Sequence, residues 1–498
     1  MKVAVIADIH LPGKRTTVKE DIFKWALAEA KVRKADLIAG AGDLTSMGEI
    51  SAAERIMAQL ESCGLPFILA PGNAEFRSKA ETERVLQIMQ TANQFDNVVC
   101  VDSAHGNLTE ESSAFLRECA ASGKKGLLLI SHCPVSSWED ADRDILNEMI
   151  SNGTVTMVVY GHKHIDISGF AMECVRGLDP DKASGGAPAL VFFTQNADNS
   201  WLREDVVCPL AEAKSFPEEI RKEIYDSFGI SGMKTPLESL SFAIEKNLPV
   251  FEIRFSSAED FLSPELQEAV GKWRKSGGRY LSLHMPDLRF NGENFTGMEA
   301  IEAASSAAVK LGCNGVTFHV PRCFADELDT PEKICRAAAV AAENMKLLFE
   351  NNISVGVENL HTDDAERIAK RYKFGCTGVE CMAFINALRN LYPDKKIGLH
   401  LDIGHARNNM PFSSRETLSD WYADYGKEIV AMHIHQVNRT AEPWKNHTGF
   451  DHFYGMLISL SSLVMARRSG QIGKVPMILE LRCSADETLA VLQKELLG

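Results

Sequence analysis

The sequence predicts an α/β protein of two domains, a layered α/β domain followed by a (β/α)8 barrel. Three observations predict it. At 498 residues the chain is too long for one hydrophobic core, which saturates at roughly 250–300 residues. The first 208 residues alternate short apolar strands with helix-period segments. After residue 236 the β–α alternation becomes regular and continues for about 260 residues, the length expected of an eightfold barrel.

In the first domain (1–208) the strand segments are KVAVIA (2–7), DLIAGA (36–41), PFILA (66–70), GLLLIS (126–131), TMVVY (156–160) and ALVFF (189–193). Helix-period stretches lie at 19–33 and 51–62. Residues 209–235 are charged and lose strand character, and the domain junction is placed there, as a linker. In the second domain (236–498) the strands are PVFEIRF (249–255), RYLSLHM (279–285), GVTFHV (315–320), ISVGVE (353–358), IGLHLD (397–402), IVAMHIH (429–435) and VPMILEL (475–481). Amphipathic helices such as 295–311 and 331–350 separate them, and an eighth strand is expected between 446 and 460.

Composition narrows the function class. Hydrophobic residues at 45% and charged residues at 24% are those of a soluble globular protein. No apolar run reaches the ~18 residues of a membrane span. The start MKVAVIADIH reads as a buried strand and not as a secretory leader. Twelve scattered cysteines without a CxxC pair are expected to be reduced, so the protein is placed in the cytoplasm. A net charge of −15 repels nucleic acid at long range, although bound cations can reverse the local field.

Potential metal ligands follow the apolar strands of the first domain: Asp8 and His10, Asp43, Asn73, His132, and His162 with His164. Strand ends open into loops, where a rigid scaffold aims several side chains at one point. Asp, Asn and His are mixed oxygen and nitrogen donors, suited to Mn, Fe or Zn. Glycines beside three of these groups allow close backbone approach. Any one piece is weak evidence, but five in this order are not expected by accident.

The DIH, GD, GN, SH and GHKH elements resemble the calcineurin-like metallophosphoesterases over about residues 1–200. The resemblance implies a four-layer αββα sandwich holding two metals about 3.5–4 Å apart. It implies that Asp8, His10 and His164 hold one metal, that Asn73, His132 and His162 hold the other, and that Asp43 bridges them. Asp43, Asn73 and His132 would then serve catalysis, with a water activated between the metals as nucleophile. One departure is informative. The family motif reads Gly-Asn-His and then an acid, whereas this chain has Gly72-Asn73-Ala74-Glu75. Alanine transfers no proton, so the domain is expected to act on substrates whose leaving group needs little help or to use another local acid. Small phosphodiesterase-like members of the family also lack this histidine, and the resemblance therefore implies a preference for phosphodiesters over monoesters. Glu75 is expected to be a solvated or structural carboxylate, and His105 is the other neighbouring candidate.

Nine of the fourteen histidines lie after residue 280. His284, His319, Glu358, Asp402, His405, His433 and Glu480 stand at or just past strand ends, and His447 in a loop. The active face of a (β/α)8 barrel is the strand-terminal one. Acids in apolar strands are costly unless they have partners. The pattern resembles the xylose isomerase-like barrels over about 245–490. In the ketose 3-epimerase branch one metal is held by residues matching Glu358, Asp402, His433 and Glu480. The two glutamates also shuttle a proton, and His405 and Arg439 contact the sugar. In the endonuclease IV branch three zinc ions recruit His284, His319, His405 and His447 as well, but Lys445 stands where that branch has an aspartate. His452 competes with His447, and His400 and His435 are also placed toward the barrel interior. The reading is therefore a two-metal phosphoesterase fused to a barrel holding one to three Mn or Zn ions and acting on a small, sugar-like molecule. Nucleic-acid processing, or a non-catalytic role for one domain, is the alternative. Oligomeric state is not legible.

Overall fold

The computed structural model describes residues 1–169, 171–232, 235–255, 263–438 and 445–498. They form two compact units, residues 1–215 with 452–465, and residues 216–451 with 466–498.

The strands of the first unit are β1 (Lys2–Ile6), β2 (Leu37–Ala41), β3 (Phe67–Ala70), β4 (Gln94–Phe95), β5 (Val98–Cys100), β6 (Leu127–Ser131), β7 (Val155–Tyr160), β8 (Ile167–Gly169), β9 (Met172–Cys174), β10 (Ala189–Gln195) and β11 (Trp201–Val207). They make two sheets, ordered β11-β10-β1-β2-β3 and β4-β5-β6-β7-β9-β8. Side chains alternate across each strand, so each sheet has two apolar faces to bury. Val3, Val5 and Ala7 face the second sheet through Leu128, Ile130 and Val159. Ala4 and Ile6 face Ile22, Phe23 and Ala26 of the helix Val18–Val32. On the far side, Leu127, Leu129 and Val158 meet Leu116, Leu146 and Met149 of the helices Glu110–Ala121 and Asp140–Ser151. The result is the αββα layering that the resemblance implied. Each fully buried aromatic or aliphatic side chain, such as Phe23, contributes about 1.5–3 kcal/mol.

Residues 452–465 join this unit through several bonds. The amide of Ser459 donates to Asp181 O (2.8 Å), the amide of Ala183 to Gly455 O (3.0 Å), and Ser461 Oγ to Ala211 O (2.6 Å). Met465 enters the core beneath the first helix layer.

The second unit is a closed barrel of β12 (Phe228–Ser231), β13 (Val250–Arg254), β14 (Tyr280–His284), β17 (Gly315–His319), β18 (Ser354–Glu358), β19 (Ile397–Asp402), β20 (Ile429–Ile434) and β23 (Met477–Leu479). All eight pairings are parallel. Two short ribbons, β15–β16 (Arg289–Phe290, Phe295–Thr296) and β21–β22 (Gln436–Asn438, Lys445–Thr448), sit in its loops.

The eighth strand is not where the sequence reading placed it. It is β12, within the segment read as a linker, so the barrel begins before residue 236. The interval 446–460 supplies instead the end of β22 and part of the segment that joins the first unit. A four-residue strand containing Gly and Ser, set among charged residues, carries too little hydrophobic pattern to be read. Its strand character comes from pairing with β13 and β23.

No described helix is long and apolar enough to cross a membrane. No disulfide joins the cysteines among the described residues, and all but Cys335 and Cys483 are buried.

Candidate metal centres

In the first unit, loops after β1, β2, β3, β6 and β7 bring Asp8, His10, Asp43, Asn73, His132, His162 and His164 together at one edge of the sandwich. Asp8, His10, Asp43, His162 and His164 all adopt positive φ, between 50° and 67°. That conformation is uncommon outside glycine and costs free energy, so its clustering marks a functional turn set. The loops lock one another: Asp8 N donates to Gly42 O and His10 N to Asp43 O, both at 3.0 Å. Gly72 permits the closest approach, since a Cβ there would lie 2.4 Å from Asp43 Oδ1.

Asp43 divides the site. Its Oδ2 lies 3.6 Å from His10 Nε2, and its Oδ1 lies 3.3 Å from His132 Nε2. On the Oδ2 side His10 Nε2 and His164 Nε2 are 3.4 Å apart, and His164 Nε2 is 3.7 Å from Asp8 Oδ1. On the Oδ1 side Asn73 Oδ1 is 3.0 Å from both His132 Nε2 and His162 Nδ1, which are 3.2 Å from each other. The side chains thus fall into the same two groups that the sequence reading assigned to separate metals.

The imidazoles are oriented from behind. His132 Nδ1 is 2.9 Å from Ala41 O and His164 Nδ1 is 3.3 Å from Lys182 O, which leaves each Nε2 lone pair for the centre. The carbonyl of Lys182 is itself held in place. Fully buried Lys19 pairs with Asp179 (2.9 Å) and Asp181 (3.1 Å) of the same loop.

The donor set fits cations. Burial pushes Asp8 up to about 8, with Asp43 adding to the rise and His132 opposing it. Burial and nearby Lys182 hold His10 and His164 well below the usual imidazole range, and burial takes His162 to about 4. Burial also disfavours charge on His132, but Asp43 and Asp8 outweigh it and raise that group. Neutral imidazoles crowded against carboxylates are ready ligands. The Asn73 amide lies against both His132 and His162, where hydrogen bonding alone turns its nitrogen toward the two rings and where its oxygen could serve a cation.

Glu75 is structural, and it is buried, not solvated. It accepts from the amides of Asp43 (3.0 Å), Thr45 (2.8 Å) and Gly72 (2.7 Å), and from Thr45 Oγ1 (2.9 Å). One carboxylate thus ties two ligand loops together. Ala74 is buried with its amide on Asp43 Oδ1 (2.6 Å), and exposed His105 packs edge-on against Phe76.

At the barrel's strand-terminal face a second set converges. Glu358 Oε2 lies 3.4 Å from His284 Nε2 and 3.1 Å from His319 Nε2, yet makes no aligned hydrogen bond. Asp402, His435, His447 and Glu480 bring ligand atoms within 4.8 Å of one another, as do His405, His435 and His447. His447 Nδ1 and Glu480 Oε2 are 3.2 Å apart, and both lack an aligned partner. Buried lone pairs that converge without hydrogen-bond alignment are what a cation site needs and what a satisfied polar core avoids.

Here too the rings are set from outside. Asp287 Oδ1 holds His319 Nδ1 at 2.6 Å, Met285 O holds His284 Nδ1 at 3.2 Å, and Asn359 O holds His405 Nδ1 at 2.9 Å. Asp402 accepts from the amide of His405 (2.7 Å) and so caps the helix Ile403–Asn409. His433 lies between carboxylates: Nε2 is 2.9 Å from Glu252 Oε1, and Nδ1 is 2.9 Å from Glu358 Oε1 and 3.2 Å from Glu480 Oε2. Burial opposes its charge, but Glu358 and Glu252 raise it to about 10.

The barrel residues selected from sequence therefore meet at this face, except His452 and Arg439, the latter lying outside the described residues. His447 and not His452 belongs to the centre; His452 is exposed in the first unit. His400 faces inward below the centre, 3.0 Å from Thr317 Oγ1. Sequence reasoning missed Glu252, Asp287 and Asn359, and left His435 unassigned. His435 Nε2 is 3.0 Å from Asp402 Oδ1, and Gly404 makes its room, since a Cβ there would sit 2.0 Å from the ring. A signal for Glu252 existed: it is an acid inside an apolar strand, PVFEIRF.

Residues 1–166 match the family model described as calcineurin-like phosphoesterase. No curated protein matches the chain significantly. Similar solved structures include a D-tagatose 3-epimerase-like protein (19% identity, 54% of this chain and 96% of that one, TM-score 0.40). Endonuclease IV from Thermus thermophilus is another (16%, 54% and 96%, 0.36). A dimetal phosphatase from Danio rerio is a third (14%, 39% and 92%, 0.29). At these identities and scores the three likenesses carry no argument about activity.

Proposed function

We propose that the first unit is a two-metal phosphoesterase that prefers phosphodiesters, and that the barrel is a second metal-dependent centre acting on a small, sugar-like molecule. The observation that carries the first part is the division of Asp43, whose two oxygens serve two separate ligand sets. When bound, a pair of Mn, Fe or Zn ions would supply a nucleophile at neutral pH and neutralise phosphoryl charge. The chain's own residues hold the two sets apart and fix the imidazole tautomers through Ala41 O and Lys182 O.

The preference for diesters follows from what the motif position lacks. Ala74 offers no proton, and the oxygens of Glu75 are spent on four hydrogen bonds. A leaving group must then depart with little acid assistance, which favours activated leaving groups, and the small phosphodiesterase-like members of the family that also lack this histidine support a diester substrate. The test is to assay matched activated monoester and diester substrates with the Mn-loaded full chain. Faster monoester turnover would reject the preference.

In the barrel, bound cations would polarise a carbonyl or phosphoryl oxygen. Glu358 and Glu480 are the carboxylates placed to move a proton beside that group, which supports an isomerase or epimerase-like reaction. A second reading, phosphodiester cleavage in the barrel, is favoured by His284 and His319 converging on Glu358, because a single-metal site needs neither. Nicking of abasic-site duplex DNA by the Mn- or Zn-loaded protein decides between them.

A further inference from the structure

The barrel centre opens into a pocket of about 240 Å³ lined by four cationic side chains, Arg254, Arg322, Lys373 and Arg482, together with the acids Glu358 and Glu480. This is notable on a chain of net charge −15. We propose that the pocket binds a small molecule through a phosphomonoester dianion, held by this collar beside the carboxylate–histidine centre. The proposal rests on the barrel being a metal-dependent small-molecule site.

The four cations differ in what they offer. Arg322 contacts Asp287 through Nε at 2.8 Å, which fixes its position and leaves its terminal amino groups for a ligand. Arg482 is exposed and makes no ion pair among the described residues, and its backbone amide on His447 O (2.8 Å) fixes its base beside the centre. Lys373 is saturated by Asp363 (3.4 Å), Glu366 (3.1 Å) and His361 O (3.3 Å), so it acts as a fixed charge and not as a donor. Arg254 pairs with Glu480, itself a centre carboxylate. Were Glu480 to hold a cation, the Arg254 guanidinium would be left free to meet an incoming anion.

A neutral sugar would gain little from such a wall. Two arginines with free planar donors suit the oxygens of a terminal phosphate, which they can bind bidentately. The pocket is small, of the scale of a phosphorylated monosaccharide. The chemistry also links the two centres. Hydrolysis of a phosphodiester breaks one P–O bond, adds water across it and leaves an alcohol and a phosphomonoester. The anion proposed for the barrel is thus of the class that the first centre would release.

The test uses the full-length protein loaded with Mn, with metals counted by elemental analysis and inorganic phosphate binding followed by calorimetry. Asp43→Asn is expected to abolish phosphate binding at the first centre and so to leave one site per chain. In that background Arg482→Glu, at an exposed position, and Arg254→Gln are expected to weaken the remaining site at least tenfold each. Ribose 5-phosphate should compete with phosphate there, and ribose should not. Unchanged phosphate affinity in both arginine variants, or equal competition by ribose, overturns the proposal. Tighter competition by abasic-site duplex DNA than by ribose 5-phosphate also overturns it, in favour of a nucleic-acid phosphate. If the metal count stays at two in the wild type while the arginine-dependent phosphate site persists, the collar stands and the metal reading of the barrel falls.

Discussion

Glu252 and His433 meet at the floor of the barrel centre, carboxylate Oε1 to Nε2 at 2.9 Å, both without solvent exposure. Glu252 also accepts from Thr317 Oγ1 (2.6 Å) and Ser231 Oγ (3.1 Å), so its position is fixed by three strands other than its own. The contact presents Nδ1 of His433, not Nε2, to Glu358 and Glu480. Replacing such an outer carboxylate costs roughly 10–100-fold in metal affinity. Glu252→Gln is therefore expected to weaken barrel metal binding by that factor in chelator competition, while the first centre keeps its metals. Equal loss from both centres would mean global unfolding and not mispositioning of His433.

Asp43→Asn removes the negative charge from the residue whose carboxylate faces both ligand sets of the first unit. Bound metal should fall by up to two ions per chain. Turnover of an activated phosphodiester should drop at least about 100-fold, the usual scale for losing electrostatic stabilisation of a transition state. Unchanged turnover would remove the assignment of this centre.

Glu75→Gln places an amide group against three backbone N–H donors and a hydroxyl. At least one buried donor then faces another donor, at a cost of about 1–3 kcal/mol. Denaturant melts of the metal-free protein should register that loss, and activity should fall with it because the Asp43 and Gly72 loops share this carboxylate. A variant of wild-type stability would show that the four bonds are replaceable.

His435→Ala should release metal from the barrel, since Asp402, His405 and His447 lose the ring they surround. His452→Ala, at an exposed position in the first unit, is the matched control and should release none. Equal metal contents in the two variants would exclude His435 as a ligand.

The metal-free protein should lose stability between about pH 6.5 and 8. Asp8, raised by burial from 3.8 to about 8, holds a proton in the folded state that the unfolded chain has released, so stability falls as pH climbs between those values. His319, at about 8, and His433, at about 10, are raised from 6.5 because their carboxylate partners outweigh burial. Their contribution is complete below pH 6.5 and is lost as pH rises through the folded values. The lowered histidines, His10, His162, His164, His284, His361, His400, His405 and His447, act in the opposite direction but only below pH 6.5. Thermal melts with chelator should show Tm decreasing across this window. Mn-loaded protein should show a smaller decrease, and a flat chelated profile would contradict the assignment.

The sequence by itself determined the layered domain, seven of the eight barrel strands and most of the side chains that converge at the two candidate centres. The reason is local: apolar strands of period two end abruptly in Asp, His or Asn, and such residues beside a strand end have few roles except convergence on one point. Tertiary structure decided what depends on partners far along the chain. Strand β12 is strand only through β13 and β23. Residues 452–465 belong with the first unit because their bonds go to residues 181, 183 and 211, which no local pattern foretells. His433 and His435 share a strand spacing that points both inward, and only the distances separate them: one rests on Glu252 and the other on Asp402. Which nitrogen each imidazole offers is set by carbonyls and carboxylates brought in by folding, and so lay beyond any reading of the chain alone.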